Sequence, residues 1–302
     1  MRNIKNALRV FIILFSLFIF LSCASLSPVD MAREKPISQA TPETLIPQWR
    51  SFAATDALVY FAGKIARPRL ELWALRIDLS DPNLRVVAAG GADNGAEGTF
   101  LSSKVSSFVR DRGLLAGINA LPFDPVSGRE GEPRTNIGVV ISDGIMLSPP
   151  HSRFDALVFW EDGSAAIVPQ SRLQSAENIT TAVGGFRQIL AANEIVPRVL
   201  DLTPRHPRSA AGISADSRFL YLLVIDGRRP GSVGATEAET ALILRALGAY
   251  DGINFDGGGS SALVIRYPDG AVRAVNVPIH KNIPGRERAV AGCLGVELNN
   301  SQ

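Results

Sequence analysis

The sequence predicts an α+β fold: one domain in which a mixed β-sheet carries flanking helices. Three observations predict it. Short apolar runs punctuated by Gly, Pro and Asp recur from about Ser51 to the C-terminus, as in strands joined by turns. Two segments carry a helical period of apolar residues. No repeat, linker or change of composition divides the chain after residue 50. With 302 residues, 46% of them hydrophobic and 20% charged, there is ample material for a buried core. Collagen-like, coiled-coil and fully disordered chains are thereby excluded.

The first element is a leader, residues 1–22. Arg2, Lys5 and Arg9 make a basic start, and Val10 to Leu21 is an almost unbroken apolar run of 12 residues. That is short of the roughly 20 residues a spanning helix needs, so the pattern predicts a signal peptide over an uncleaved anchor. Cys23 follows Phe20-Leu21-Ser22 at once, which resembles a bacterial lipoprotein processing box with Phe20 in place of Leu. Cys23 is the expected lipidation site, because its thiolate must attack the lipid donor. The expectation is an exported lipoprotein of the bacterial cell envelope, held to the membrane by N-terminal acyl chains. Residues 23–50, rich in Ser, Pro, Thr and Ala, read as a flexible tether, and 51–302 as the folded domain. Cys293, in an apolar context, reads as a small buried hydrophobe. The formal charge of +2 falls to −1 without the three leader cations, so no broad electrostatic binding of nucleic acid is expected.

Along the domain, strands are predicted at 57–61, 71–78, 85–89, 138–141, 156–160, 165–168, 219–225, 252–255, 262–267 and 272–277. Glu161-Asp162-Gly163 and Pro268-Asp269-Gly270 read as hairpin turns. Residues 101–111 place Leu101, Val105, Phe108 and Val109 on one helical stripe. Residues 237–247 are better marked: Thr236 and Glu239 are spaced as a capping box, and Gly248 stands where a left-handed residue ends a helix.

The most unusual stretch is Asp256-Gly257-Gly258-Gly259-Ser260-Ser261, between two apolar runs. Three glycines allow positive φ and close approach to a ligand, and successive N–H groups of such a turn can face an anion. Asp256 adds a carboxylate at the strand end. No Gly-Lys-Ser/Thr follows, so this is not a nucleotide P-loop. A glycine-rich hairpin without chemistry is the alternative on spacing alone.

This stretch resembles the phosphodiester glycosidase family, and further blocks match in the same order: Asn119 in Gly-Ile-Asn-Ala, Gly184-Gly185-Phe186, His206-Pro207-Arg208-Ser209, Asp226-Gly227-Arg228, Ser232-x-Gly234-x-Thr236-x-x-Glu239, Asn276-x-Pro278, and Arg286-Glu287-Arg288. The resemblance spans about residues 80–298. It implies a hydrolase that cuts a sugar–phosphate bond in a phosphodiester, acting on a glycan or phosphosugar. Asp256, Glu239 and Asp226 are the implied catalytic carboxylates. Asn119, Arg208, Arg228, Thr236, Gly257, Gly258, Gly259, Ser260, Asn276, Glu287 and Arg288 are the implied substrate and phosphate ligands, guanidinium forks matching phosphate oxygens. Two departures stand out. Leu121-Pro122-Phe123 replaces a glycine pair and aromatic, which predicts a reshaped substrate-facing edge, and Ser209 replaces Thr.

Plain structural roles compete at several of these positions. Glu239 serves equally as a cap, Asp226-Gly227 as a turn after a strand, although its partner Arg228 favours a functional reading, and Glu287 with Arg288 as an ion pair. No His-x-x-x-His, Cys-x-x-Cys or Gly-x-Ser-x-Gly pattern occurs, which argues against a zinc site and a serine hydrolase. No cofactor is called for. A hard divalent cation on Asp226, Asp256 or Glu239 would leave no distinct signature. The competing function is a non-catalytic envelope lipoprotein that holds a phosphosugar or polysaccharide in the same cleft.

Overall fold

The computed structural model describes residues 47–51, 55–89, 98–126 and 129–299. The leader, Cys23 and the tether up to residue 46 lie outside the described residues. Among those described, no helix is long and apolar enough to cross a membrane.

Among the described residues β-structure dominates, as four sheets. The largest runs, in spatial order, Arg50–Ser51, Leu58–Ile65, Leu70–Asp78, Phe219–Ile225, Arg208–Ile213, Asp251–Asn254, Arg187–Ala191, Glu194–Ile195. A five-stranded sheet is ordered Ile145–Ser148, Val140–Ser142, Ile179–Gly184, Asp155–Trp160, Ala165–Pro169, and a second Val272–Ala274, Leu263–Arg266, Ala116–Asn119, Cys293–Leu298, Leu84–Ala89. Thr99–Leu101, Pro133–Asn136 and Phe123–Asp124 form the fourth. Every strand ladder is antiparallel, where a mixed sheet was expected. The physical reason is the scarcity of helical crossovers, which parallel neighbours require. One buried cluster joins the three larger sheets, with Leu75 and Leu222 from the first, Leu157 and Val183 from the second, Ile118 and Leu294 from the third. Trp49 and Arg50 belong to this body: the Trp49 ring lies 5.9 Å from Phe61, and Arg50 pairs with Tyr60.

Helix α1, Val105–Asp111, is shorter than the stripe from Leu101 predicts. Thr99–Leu101 is claimed by pairing with the Pro133–Asn136 strand, so the chain becomes helical only after it. Val105, Phe108 and Val109 then pack on Val87, Val264 and Cys293. Cys293 is buried, and burial pushes its thiol pKa up.

Helix α2, Glu237–Leu247, has the predicted bounds, the reciprocal Thr236/Glu239 cap, and Gly248 at φ 114° as its left-handed stop. It lies across the largest sheet where strand glycines, Gly212 and Gly252, leave the surface bare. A Cβ on Gly252 would stand 2.8 Å from Leu244 Cδ1, so the helix can approach only because that strand position is bare.

Candidate active site

The antiparallel order of four central strands of the large sheet builds the site. Arg208 pairs with Ile225, Ala210 with Asn254, and Asn254 with Arg187. Two strands therefore end, and two begin, at the same edge. The connections leaving that edge carry Asp226 to Arg229 and Asp256 to Ser260, and the connections entering it carry Phe186 and His206. The N-terminus of α2 adds Glu237. Together Phe186, Arg187, His206, Arg208, Arg228, Glu237, Asn254, Asp256, Gly257, Gly258, Gly259 and Arg288 line a cavity of about 300 Å³.

The glycine loop is a single tight turn. The N–H of Gly258 donates to Pro207 O at 2.8 Å, Gly258 sits at φ +62°, and Gly258–Ser260 forms a 3₁₀ turn. Arginines cover the turn: an added Cβ would stand 3.1 Å from Arg228 Nη2 at Gly258 and 2.5 Å from Arg288 Nη2 at Gly259. The left-handed φ favours glycine at Gly258, and at Gly259 a side chain would have to displace the Arg288 guanidinium.

Asp256 opens the same turn, its carboxyl in the field of Arg288. Its N–H donates to Ala120 O at 2.7 Å, and its carbonyl accepts from Asn119 Nδ2 at 2.6 Å. Burial raises the carboxyl pKa from 3.8 to about 6, against the opposing pull of the Ser260 hydroxyl and Arg288. Arg288 donates from Nε to His280 Nδ1 and from Nη1 to Ser260 Oγ, each at 3.1 Å. Arg208 is anchored by Ala235 O and Pro204 O at 2.9 and 3.0 Å. Burial works against the charge of both guanidiniums, offset at Arg208 by Glu237 and at Arg288 by Asp256. His206 is held below the usual imidazole range, first by burial and then by Arg208 and Arg228. A neutral ring has a lone pair to offer, and its Nδ1 lies 3.4 Å from Arg228 Nη2.

Of the carboxylates expected from the sequence, Asp256 alone reaches this cavity. Glu239 is fully buried elsewhere, accepting from Thr236 N at 2.9 Å and from Arg205 at 2.6 and 2.9 Å. Asp226 is also buried. It accepts from Asn276 Nδ2 at 3.0 Å, from Val277 N, and from Arg229 at 2.6 Å, and burial raises its pKa. Arg229, and not Arg228, is its partner. Thr236 is the N-cap, and Asn276 clamps Asp226, Ser261 O and Leu263 N, so neither faces the cavity. Asn119 and Ser260 act from behind: Asn119 holds the Asp256 carbonyl while accepting from Ser209 Oγ and Ala262 N. Glu287 accepts from Ser106 N and lines a separate cavity, unpaired with Arg288. Among the described residues no three His, Cys, Asp or Glu side chains form a metal-holding group, and Asp226, Asp256 and Glu239 do not converge. Leu121 and Phe123, expected at a substrate-facing edge, are buried core residues.

Sequence reasoning missed Glu237, Arg187 and Asn254. Glu237 was legible only as the first residue of a well-capped helix. Arg187 and Asn254 needed their strand register. The cavity thus holds four arginines against two carboxylates, a balance suited to an anionic ligand.

These residues lie within a stretch that matches known proteins. The family model described as phosphodiester glycosidase matches residues 112–297. The fold is similar to the catalytic domain of zebrafish N-acetylglucosamine-1-phosphodiester alpha-N-acetylglucosaminidase, auto-inhibited by its pro-peptide. The TM-score is 0.62 at 20% identity, covering 83% of this chain and 87% of that one. It is also similar to a hypothetical protein from Synechocystis, with a TM-score of 0.57 at 13% identity, covering 84% of this chain and 64% of that one. This chain thus spans less than two thirds of the Synechocystis protein. No curated protein matches the sequence. With more than half of its length matched, and every cavity-lining residue inside the match, the chain belongs to the phosphodiester glycosidase family.

Proposed function

We propose that the protein hydrolyses the bond between a sugar and a phosphate in a glycosyl phosphodiester, outside the cytoplasm and tethered by a lipid on Cys23. The observation that carries the catalytic reading is Asp256, in the field of Arg288, at the start of a glycine turn that Arg228 and Arg288 cover, in a cavity that Arg187 and Arg208 complete. In the reaction, water adds to the anomeric carbon and the bond from that carbon to the phosphate oxygen breaks. The leaving phosphate gains a second negative charge. Fixed guanidiniums stabilise that added charge more than the charge of the bound diester, which is the requirement for lowering a barrier. No proton need then be delivered to the leaving oxygen. Asp256 works in its ionised form, as base toward water or as nucleophile toward carbon. With its pKa near 6, it is mostly ionised at neutral pH yet basic enough to accept a proton.

The test is a screen of residues 24–302 against sugar-1-phosphodiesters, followed by kinetics of Asp256→Asn on the substrate found. The variant is expected to lose at least a hundredfold in kcat and in kcat/KM alike. For the wild type, kcat/KM should rise with pH through about 6. Turnover by Asp256→Asn within threefold of wild type, or a kcat/KM that falls through that range, removes Asp256 from the chemistry. Binding of the diesters without any turnover would favour the lipoprotein that only holds a phosphosugar.

A further inference from the structure

Two residues that line the cavity each carry a buried acceptor atom with no hydrogen-bond partner in the protein: Glu237 Oε2 and Asn254 Oδ1. Glu237 is 7% exposed and Asn254 2%. Arg187 Nε lies 3.5 Å from Glu237 Oε2, and Arg208 Nη1 3.7 Å from Oε1. These cations balance the carboxylate's charge without hydrogen-bonding Oε2. An orphaned buried acceptor costs about 1–3 kcal/mol, so one beside a ligand cavity points to a donor supplied by what binds there. A phosphodiester cannot supply it, since its oxygens only accept. The part of the ligand that is not phosphate carries hydroxyls that can donate, directly or in place of a bound water.

We infer that Glu237 and Asn254 form a hydroxyl-reading edge of this cavity, which selects a sugar bearing free hydroxyls beside the phosphorylated carbon. The inference rests on the phosphosugar reading of the cavity. The arrangement divides the site. Arg228, Arg288 and the glycine turn make an anion end, and Glu237 with Asn254 makes an acceptor end. Arg187 ties the acceptor end together, because it sits directly across the ladder from Asn254 and reaches toward Glu237. Phe186 supplies an apolar wall for the ring. Its own ring is braced edge-on by Phe154 at 5.4 Å, which in turn stacks on His151 at 4.2 Å. A site built on buried acceptors rejects a sugar that lacks the matching hydroxyl, because desolvation is then unrepaid.

The test is equilibrium binding by calorimetry, with inorganic phosphate, the gluco, galacto and manno hexose 1-phosphates, and their monodeoxy forms as probes. On the wild type, at least one hexose 1-phosphate is expected to bind tenfold more tightly than phosphate, and one of its monodeoxy forms to lose that margin. In Glu237→Gln the margin over phosphate should vanish and indifference to the same deoxygenation should appear, while phosphate itself, relieved of a nearby negative charge, should bind no more weakly than to wild type. The wild-type deoxy series stands whether or not the variant folds. The inference is overturned if no deoxygenation on the wild type costs more than twofold, or if Glu237→Gln changes phosphate and hexose phosphate by one common factor. Hydroxyl dependence without any phosphate binding would overturn the anion end and leave this edge standing. Phosphate binding without hydroxyl dependence would do the reverse.

Discussion

At Asp256 the fold bears a cost in stability that the proposed chemistry would account for. Its pKa is raised from 3.8 to about 6, so the ionised form is penalised in the fold. At about 1.4 kcal/mol per pH unit the penalty reaches about 3 kcal/mol. It is absent below pH 3.8, where the group is protonated both folded and unfolded, and complete above about 6. Asn carries no such charge. Asp256→Asn should therefore be more stable than wild type by about 1–3 kcal/mol at pH 7–8, with the gain gone by pH 4. Denaturant titrations at both pH values check this, and a variant less stable at pH 7 would contradict it. Gly258 offers a second residue-scale test. Ala there must hold φ +62°, costing roughly 1–2 kcal/mol, and its methyl would press on Arg228 Nη2 at 3.1 Å. Steady-state kinetics should show KM raised more than kcat is lowered. An unchanged KM would detach the turn from phosphate binding.

Helix α2 combines two functions within one turn. Its cap turns Glu239 back onto Thr236 N, which points that carboxylate away from the cavity, while Glu237 at the first position faces the cavity. Residues two apart on a helix are about 200° apart, so the two cannot share a face. Glu239 also pairs with Arg205, whose side chain is 8% exposed. A Gln at 239 fits the capping box but leaves that buried guanidinium without its counter-charge. Glu239→Gln should thus cost about 3–5 kcal/mol of stability, and Thr236→Ala only about 0.5–2. Turnover per folded molecule should be unchanged in both. Unfolding curves with an activity assay on the folded fraction decide it, and a stable but inactive Glu239→Gln would return Glu239 to the catalytic set.

For the whole molecule, the leader proposes an address and the domain a chemistry. Cys23→Ser should abolish labelling by a fatty-acid probe in cells and shift the protein out of the membrane fraction; labelling that persists would sink the lipoprotein proposal. The sequence by itself determined those features whose physics is local. The Thr236/Glu239 cap, the Gly248 stop, the two hairpin turns and the glycine turn after Asp256 each depend on a few adjacent residues. Alternating or apolar strands such as Leu70–Asp78 and Phe219–Ile225 were equally legible. Arg208–Ile213 was not, because its Ser, Ala and Gly residues carry no period and become strand only through neighbours on both sides. The run 272–277 overshot, since the strand stops at Ala274 and Asn276 turns to clamp Asp226. Which carboxylates face the cavity was decided by tertiary structure alone. Arg205 and Arg229 neutralise Glu239 and Asp226, and strand register delivers Arg187 and Asn254 beside Glu237. Charge partners and burial are set by residues remote in sequence, and no local pattern encodes them.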